Sequence, residues 1–72
     1  MKTYQSITEF NWIEPVNEEE VQKLNDLYNS LKPSIKDDDT YQFIAMDVTE
    51  DSGSFRGILN CRINDEHRQI RF

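Results

Sequence analysis

The stretch from Pro15 to Pro33, PVNEEEVQKLNDLYNSLKP, constrains this chain more than any other, because its start, periodicity and stop all agree on one helix. Asn17 is a good N-cap, and Glu20 at the third helical position completes a capping-box variant with Asn in place of Ser or Thr. Val16 and Val21 are spaced to form a hydrophobic staple across that cap. Glu18, Glu19 and Glu20 fill the first turn, where the helix dipole favours negative charge. Val21, Leu24, Leu27 or Tyr28, and Leu31 then give a single apolar stripe, which Lys32 and Pro33 bring to an end. A one-sided stripe has to be covered, so the rest of the chain must supply an apolar face.

The sequence after the helix offers one. Tyr41–Val48, YQFIAMDV, reads as a strand of aromatic and β-branched residues, with Thr49–Gly53 as a turn. Ser54–Ile63 alternates, placing Phe55, Leu59, Cys61 and Ile63 on one face and Arg56, Asn60 and Arg62 on the other, interrupted by Ile58. Gly57 marks either a bulge or a point where another backbone comes close. Asn64-Asp65-Glu66 forms a tight turn, after which His67–Phe72 alternates again, with Ile70 and Phe72 set against Gln69 and Arg71. Before the helix, residues 4–13 carry Tyr4, Ile7, Phe10, Trp12 and Ile13. The alternation of Phe10 and Trp12 suggests an extended piece, whereas Ser6 followed by Glu9 suits a capped helical turn. Pro15 pushes Glu14 towards extended geometry and closes that element. This aromatic cluster reads as core, with Trp12 also of the type that anchors a partner. The expected fold class is α+β, a single domain over 1–72 with one main amphipathic helix packed on a three- to four-stranded antiparallel sheet.

Such a domain is thin. A chain of 72 residues buries only about 60% of its unfolded surface and has a marginal core without a staple. Cys61 is the only cysteine and His67 the only histidine, so neither a disulfide within the chain nor a four-ligand zinc site is possible. Oligomerisation is the staple left, and a homodimer is expected, since the last strand presents an uncovered edge to a second copy. The N-terminus MKTYQSITEF lacks the apolar segment of a secretory signal, and no apolar run approaches the ~20 residues of a membrane span. With a lone cysteine suited to a reducing compartment, a cytoplasmic protein with no membrane partner is expected.

Little in the sequence points to catalysis. There is no G-x-S-x-G, no H-E-x-x-H and no C-x-x-C, and Gly53 and Gly57 are too few for a glycine-rich phosphate cradle. Cys61 falls on the apolar face of a strand and reads as a small core residue. His67 has no partner placed for it by the sequence and reads as an exposed structural histidine. The run Asp37-Asp38-Asp39 fails as a calcium loop, because Gln42 and Val48 stand where the sixth-position glycine and twelfth-position glutamate belong. No enzyme, cofactor or metal is expected.

The charge is more informative. Net charge is −6, with 12 acids and 4 lysines in residues 1–53 against 2 acids and 4 arginines in residues 54–72. Such an excess argues against nucleic acid or anionic membrane as a direct ligand and favours a basic protein partner. The candidate partner-binding carboxylates are Glu18, Glu19, Glu20, Asp37, Asp38, Asp39, Glu50 and Asp51. The first three are accounted for by helix capping, whereas the other five have no folding role legible in the sequence. In size and acidity the chain resembles the small phage-encoded inhibitors that mimic DNA and block host DNA-processing proteins. That resemblance implies a DNA-processing partner whose Lys/Arg track matches a duplex carrying one charge per ~1.7 Å. An alternative reading uses Arg56, Arg62, Arg68 and Arg71 with Phe55 and Phe72 as a nucleic-acid contact combining phosphate pairing and stacking. The same arginines could instead pair with the acidic part of a second copy. Finally, the helix followed by the hairpin FIAMDVTEDSGSFRGILNCRI is similar in topology to the N-terminal half of the GNAT-type acetyltransferases. The acetyl-CoA site of that family is a Gln/Arg-rich glycine loop in the strand–helix unit that follows, and residues 1–72 hold no such unit, so no site residue is carried over.

Overall fold

The computed structural model describes residues 1–14 and 17–72. Its elements run β1 (Lys2–Ser6), α1 (Glu18–Leu31), β2 (Tyr41–Asp51), β3 (Ser54–Ile63) and β4 (Glu66–Arg71). The strands form one antiparallel sheet in the order β1-β2-β3-β4, and α1 packs across one face of it. This is the α+β arrangement of one helix on an antiparallel sheet, with four strands.

The helix begins as its sequence dictates. Asn17 Oδ1 accepts a hydrogen bond from Glu20 N at 2.8 Å. The reciprocal half of the capping box does not form, because the Glu20 carboxylate turns to β1 instead, accepting from Lys2 Nζ at 2.9 Å and Tyr4 Oη at 3.2 Å. The expected staple involves Val16, which lies outside the described residues. At the other end Lys32 N donates to the Tyr28 carbonyl at 2.8 Å, and Pro33 prevents a further turn. Leu24 and Tyr28 are the buried members of the stripe. They meet Tyr4, Met46, Val48 and Leu59 in the core, with Leu27, Leu31, Trp12, Phe55, Ile70 and Phe72 partly buried around them.

Pairing in the sheet alters three expectations. Thr49, Glu50 and Asp51 belong to β2 rather than to a five-residue turn, for they pair with Arg56, Phe55 and Ser54. Only Ser52 and Gly53 form the connection, both at positive φ (51° and 84°), the conformation of a two-residue type I′ hairpin. The next hairpin closes the same way on Asn64 and Asp65 (φ 53° and 65°), so Glu66 opens β4. The bulge falls at Ile44, where register shifts between Phe43 and Ala45, and not at Gly57. Gly57 is instead the close approach: a Cβ built there would lie 1.9 Å from the Asp47 carbonyl oxygen.

The N-terminal segment also departs from expectation. Its strand is Lys2–Ser6, ending well before Glu14, and no helical turn follows Ser6. Ser6, 1% exposed, places Oγ 2.7 Å from both the Thr8 and Asn11 carbonyls and so ties the following loop instead of capping a helix. Ile7, Phe10 and Ile13 do not join the core. They stand among the exposed large apolar residues, while Tyr4 is buried and Trp12 is half-buried with Nε1 donating to Asn25 Oδ1 at 3.0 Å. No helix of the described residues is long and apolar enough to cross a membrane.

Candidate functional site

The eight candidate carboxylates form two groups at opposite ends of the molecule. Lys2 pairs in register with Glu50 and bridges to Glu20, which brings the start of α1 beside the β2–β3 hairpin. Glu18, Glu19, Glu20, Glu50 and Asp51 therefore gather at one pole. Asp37, Asp38 and Asp39 sit at the other, where Asp39 Oδ1 accepts from Asn64 Nδ2 at 2.9 Å beside the β3–β4 turn. Between the poles runs the 11-residue β2, which at roughly 3.3 Å per residue spans about 30 Å.

Several of these carboxylates have structural work to do, which corrects the reading of the last five as without a folding role. Asp39 Oδ2 accepts from Lys36 N at 3.1 Å, and Asn64 Oδ1 in turn accepts from Thr40 N at 3.0 Å, so Asp39 fastens the 36–40 loop to the far hairpin. The Asn64 amide, then the Lys36 N–H, hold its carboxyl below the ordinary value. Glu20 is lowered first by its hydrogen bond to Lys2. Glu50 Oε1 accepts from Gly53 N at 3.3 Å, and Asp51 Oδ1 from Ser52 Oγ at 3.4 Å, both within their own hairpin. Among the described residues, only Glu18, Glu19, Asp37 and Asp38 of the eight make no such contact, and all four are exposed.

Charge is sorted by layer. The chain from Glu9 to Asp39, which makes up the loop, α1 and the connection on the helix side of the sheet, carries nine acids against three lysines. Lys32 is also drawn inward, lying 3.5 Å from Glu9 and 4.6 Å from the Tyr41 ring centroid. Directly opposed residues of antiparallel strands share a face. Arg62 opposite His67, Asn60 opposite Gln69 and Ile58 opposite Arg71 thus stand on the open face, together with Arg56 and the acids Asp47 and Asp51. Arg68 is opposite Cys61 on the helix side. Of the arginine–aromatic surface of the alternative reading, Arg56, Arg62 and Arg71 stand on the face opposite Phe55 and Phe72, which pack against the core, and only Arg68 shares their side.

A cleft of about 340 Å³ opens at the first pole, between α1 and the β2–β3 hairpin. Leu24 and Phe55 give it an apolar floor, and Lys2, Lys23, Glu20 and Glu50 face it with balanced charge. Elsewhere, Tyr28 Oη donates to Glu9 and lies 2.6 Å from Tyr41 Oη, under a T-shaped contact with the Phe10 ring at 5.2 Å. Burial first, then the Glu9 carboxylate, pushes the Tyr28 phenol far above its ordinary value. Cys61 is buried and its thiol is raised by desolvation, which leaves it a packing residue. No group of three or more His, Cys, Asp or Glu among the described residues is placed to hold a metal ion. His67 is exposed on β4, with Nε2 3.3 Å from Asn60 Oδ1.

What sequence reading missed at this site is the acid at Glu9, which reaches the helix through a loop that no periodicity describes. Comparison with known proteins finds no matching family model, no matching curated protein and no matching solved structure.

Proposed function

We propose that this protein is a small acidic binding module that lays its helix layer on the basic, DNA-binding surface of a partner protein, as an inhibitor or modulator acting through DNA mimicry. The observation that carries this reading is the segment Glu9–Asp39, which holds α1 over one face of the sheet and carries nine acids against three lysines. Its unengaged carboxylates are Glu18 and Glu19 at one pole and Asp37 and Asp38 at the other, beyond the two ends of β2, itself roughly 30 Å long. One turn of duplex repeats at roughly 34 Å, so a basic surface that follows two successive phosphate tracks would meet both poles. The elongated body, 38 × 20 × 17 Å, suits such a surface better than a sphere of equal volume.

Dimerisation extends the same logic. Among the described residues the outer edge of β4 is unpaired, and antiparallel pairing with a second β4 would continue the sheet with both acidic layers on one side. Size-exclusion chromatography with light scattering tests this, and a monomer at micromolar concentration would remove it.

For the acidic surface, immobilised protein is exposed to lysate at low salt and washed at rising salt, with duplex DNA as competitor. DNA-processing proteins should be retained, released by salt and displaced by duplex. The combined changes Glu18→Gln, Glu19→Gln, Asp37→Asn and Asp38→Asn should abolish retention without loss of fold. Recovery of no DNA-binding protein, or retention untouched by the four changes, would sink the reading.

A further inference from the structure

The loop between β1 and α1 exposes more apolar surface than a small monomer has reason to show. Ile7 is 68% exposed, Phe10 45% and Ile13 52%, all within seven residues. Three large apolar side chains are thus exposed on one short loop, and exposed apolar surface that adjoins polar residues is where soluble proteins take partners.

The loop is also held in place. Ser6 Oγ binds its two carbonyls, Asn11 N donates to Thr8 O at 2.9 Å, and Ile13 N donates to Gln5 O at 2.8 Å. Glu9 and Trp12 fasten it to α1 through Tyr28 and Asn25. At its tip Phe10 has φ 67°, a left-handed conformation that is an outlier for a bulky side chain. The Phe10 ring covers Tyr28 in a T-shaped contact at 5.2 Å, and the tied loop leaves the rest of it exposed.

We infer that Ile7, Phe10 and Ile13 form the apolar anchor of the partner interface, docking into an apolar cleft bordered by Lys and Arg. This rests on the acidic-module reading and adds where the partner is gripped. Charge decides between occupants. Glu9 and Glu14 alternate with these side chains along the chain, Glu9 shared with Tyr28 and Lys32 and Glu14 exposed. A second copy would set these carboxylates against their own kind, whereas a basic amphipathic surface neutralises them while burying the isoleucines. An apolar centre within a charged rim is also the common anatomy of an interface hot spot.

Trp12 is the only tryptophan and lies within this loop, so its emission reports docking there. The probes are two synthetic 18-residue helical peptides of equal charge, one Lys/Leu amphipathic and one Lys/Ser. The Lys/Leu peptide should shift Trp12 emission saturably and bind at least tenfold tighter than the Lys/Ser peptide. Ile7→Ser with Ile13→Ser, both at exposed positions, should remove that advantage and leave Lys/Ser binding unchanged. Equal binding of the two peptides by the wild type, or an advantage that survives the double change, overturns the anchor while leaving the acidic surface standing. The acidic reading fails separately, if Glu18→Gln with Glu19→Gln leaves binding of both peptides unaltered. A fall in thermal midpoint would reveal a folding defect in the isoleucine variant, in which case Ile13→Thr alone must still lower Lys/Leu affinity for the anchor to stand.

Discussion

Gly57 is the position where a single missing atom matters most. Its φ of 158° and the 1.9 Å approach of the Asp47 carbonyl to a built Cβ leave no room for any side chain, and the obstruction is backbone that cannot rotate away. Gly57→Ala should therefore destabilise by about 3 kcal/mol or more, the range of severe core and backbone defects, read as a lowered midpoint in urea unfolding. Loss of less than about 1 kcal/mol would mean the strands separate easily there. Sequence reading narrowed Gly57 to a bulge or a close approach, and only the neighbouring strand could choose. Asp39 was equally illegible. Its partners Lys36 and Asn64 are brought together by the far hairpin, not by spacing. Because its folded carboxyl is held below the ordinary value, the stability it lends is present above pH ~4 and lost as pH falls through the folded value. Asp39→Asn should flatten the acid limb of the stability curve, checked by urea midpoints between pH 5 and pH 3, a window set by the ordinary aspartate value near 3.9.

At the scale of elements, the helix was legible because every cue for it is local: a cap, a 3.6-residue stripe and a proline. Leu24, 1% exposed at the centre of the stripe, should cost about 2–5 kcal/mol when cut to Ala, and the half-buried Leu31 clearly less. Chemical denaturation of the two variants checks the ranking, and equal losses would contradict the packing. The hairpins were legible in kind and wrong in extent. Thr49, Glu50 and Asp51 look like turn residues, but Lys2 and Thr3 on one side and Arg56, Phe55 and Ser54 on the other recruit them into a strand. The loop from Ile7 to Glu14 was the least legible part, since its apolar residues resemble core in composition. Its ties are a buried serine, a glutamate and a tryptophan N–H reaching three different places.

For the whole molecule, all three tyrosines (Tyr4, Tyr28 and Tyr41) are raised above their ordinary value, in each case first by burial. Groups raised in the folded state lend stability that is fully present below the unfolded value near 10 and is lost as pH climbs past it. Near-ultraviolet absorbance should thus show less tyrosinate at pH ~10 in the folded protein than in the urea-unfolded chain, with the remainder appearing as the helical circular dichroism is lost. Titration of two tyrosines at the ordinary value in the folded protein would refute this. The same scale separates what each level of description decided. The sequence by itself determined the helix, the three-strand meander that follows it, the inward faces of β3 and β4 and the acidic bias of the first part. These follow from short-range periodicity and composition. Only the tertiary structure decided that this bias becomes a layer, that Arg56, Arg62 and Arg71 face away from Phe55 and Phe72 while Arg68 does not, and that Ile7, Phe10 and Ile13 stand outside the core. Which face a strand residue takes, and what then covers it, depends on register and on contacts between distant segments, and neither is written in any local run of residues. The helix from Asn17 to Lys32 contributes at both levels: its buried stripe was legible from spacing, and the place of its exposed acids was decided by how it packs on the sheet.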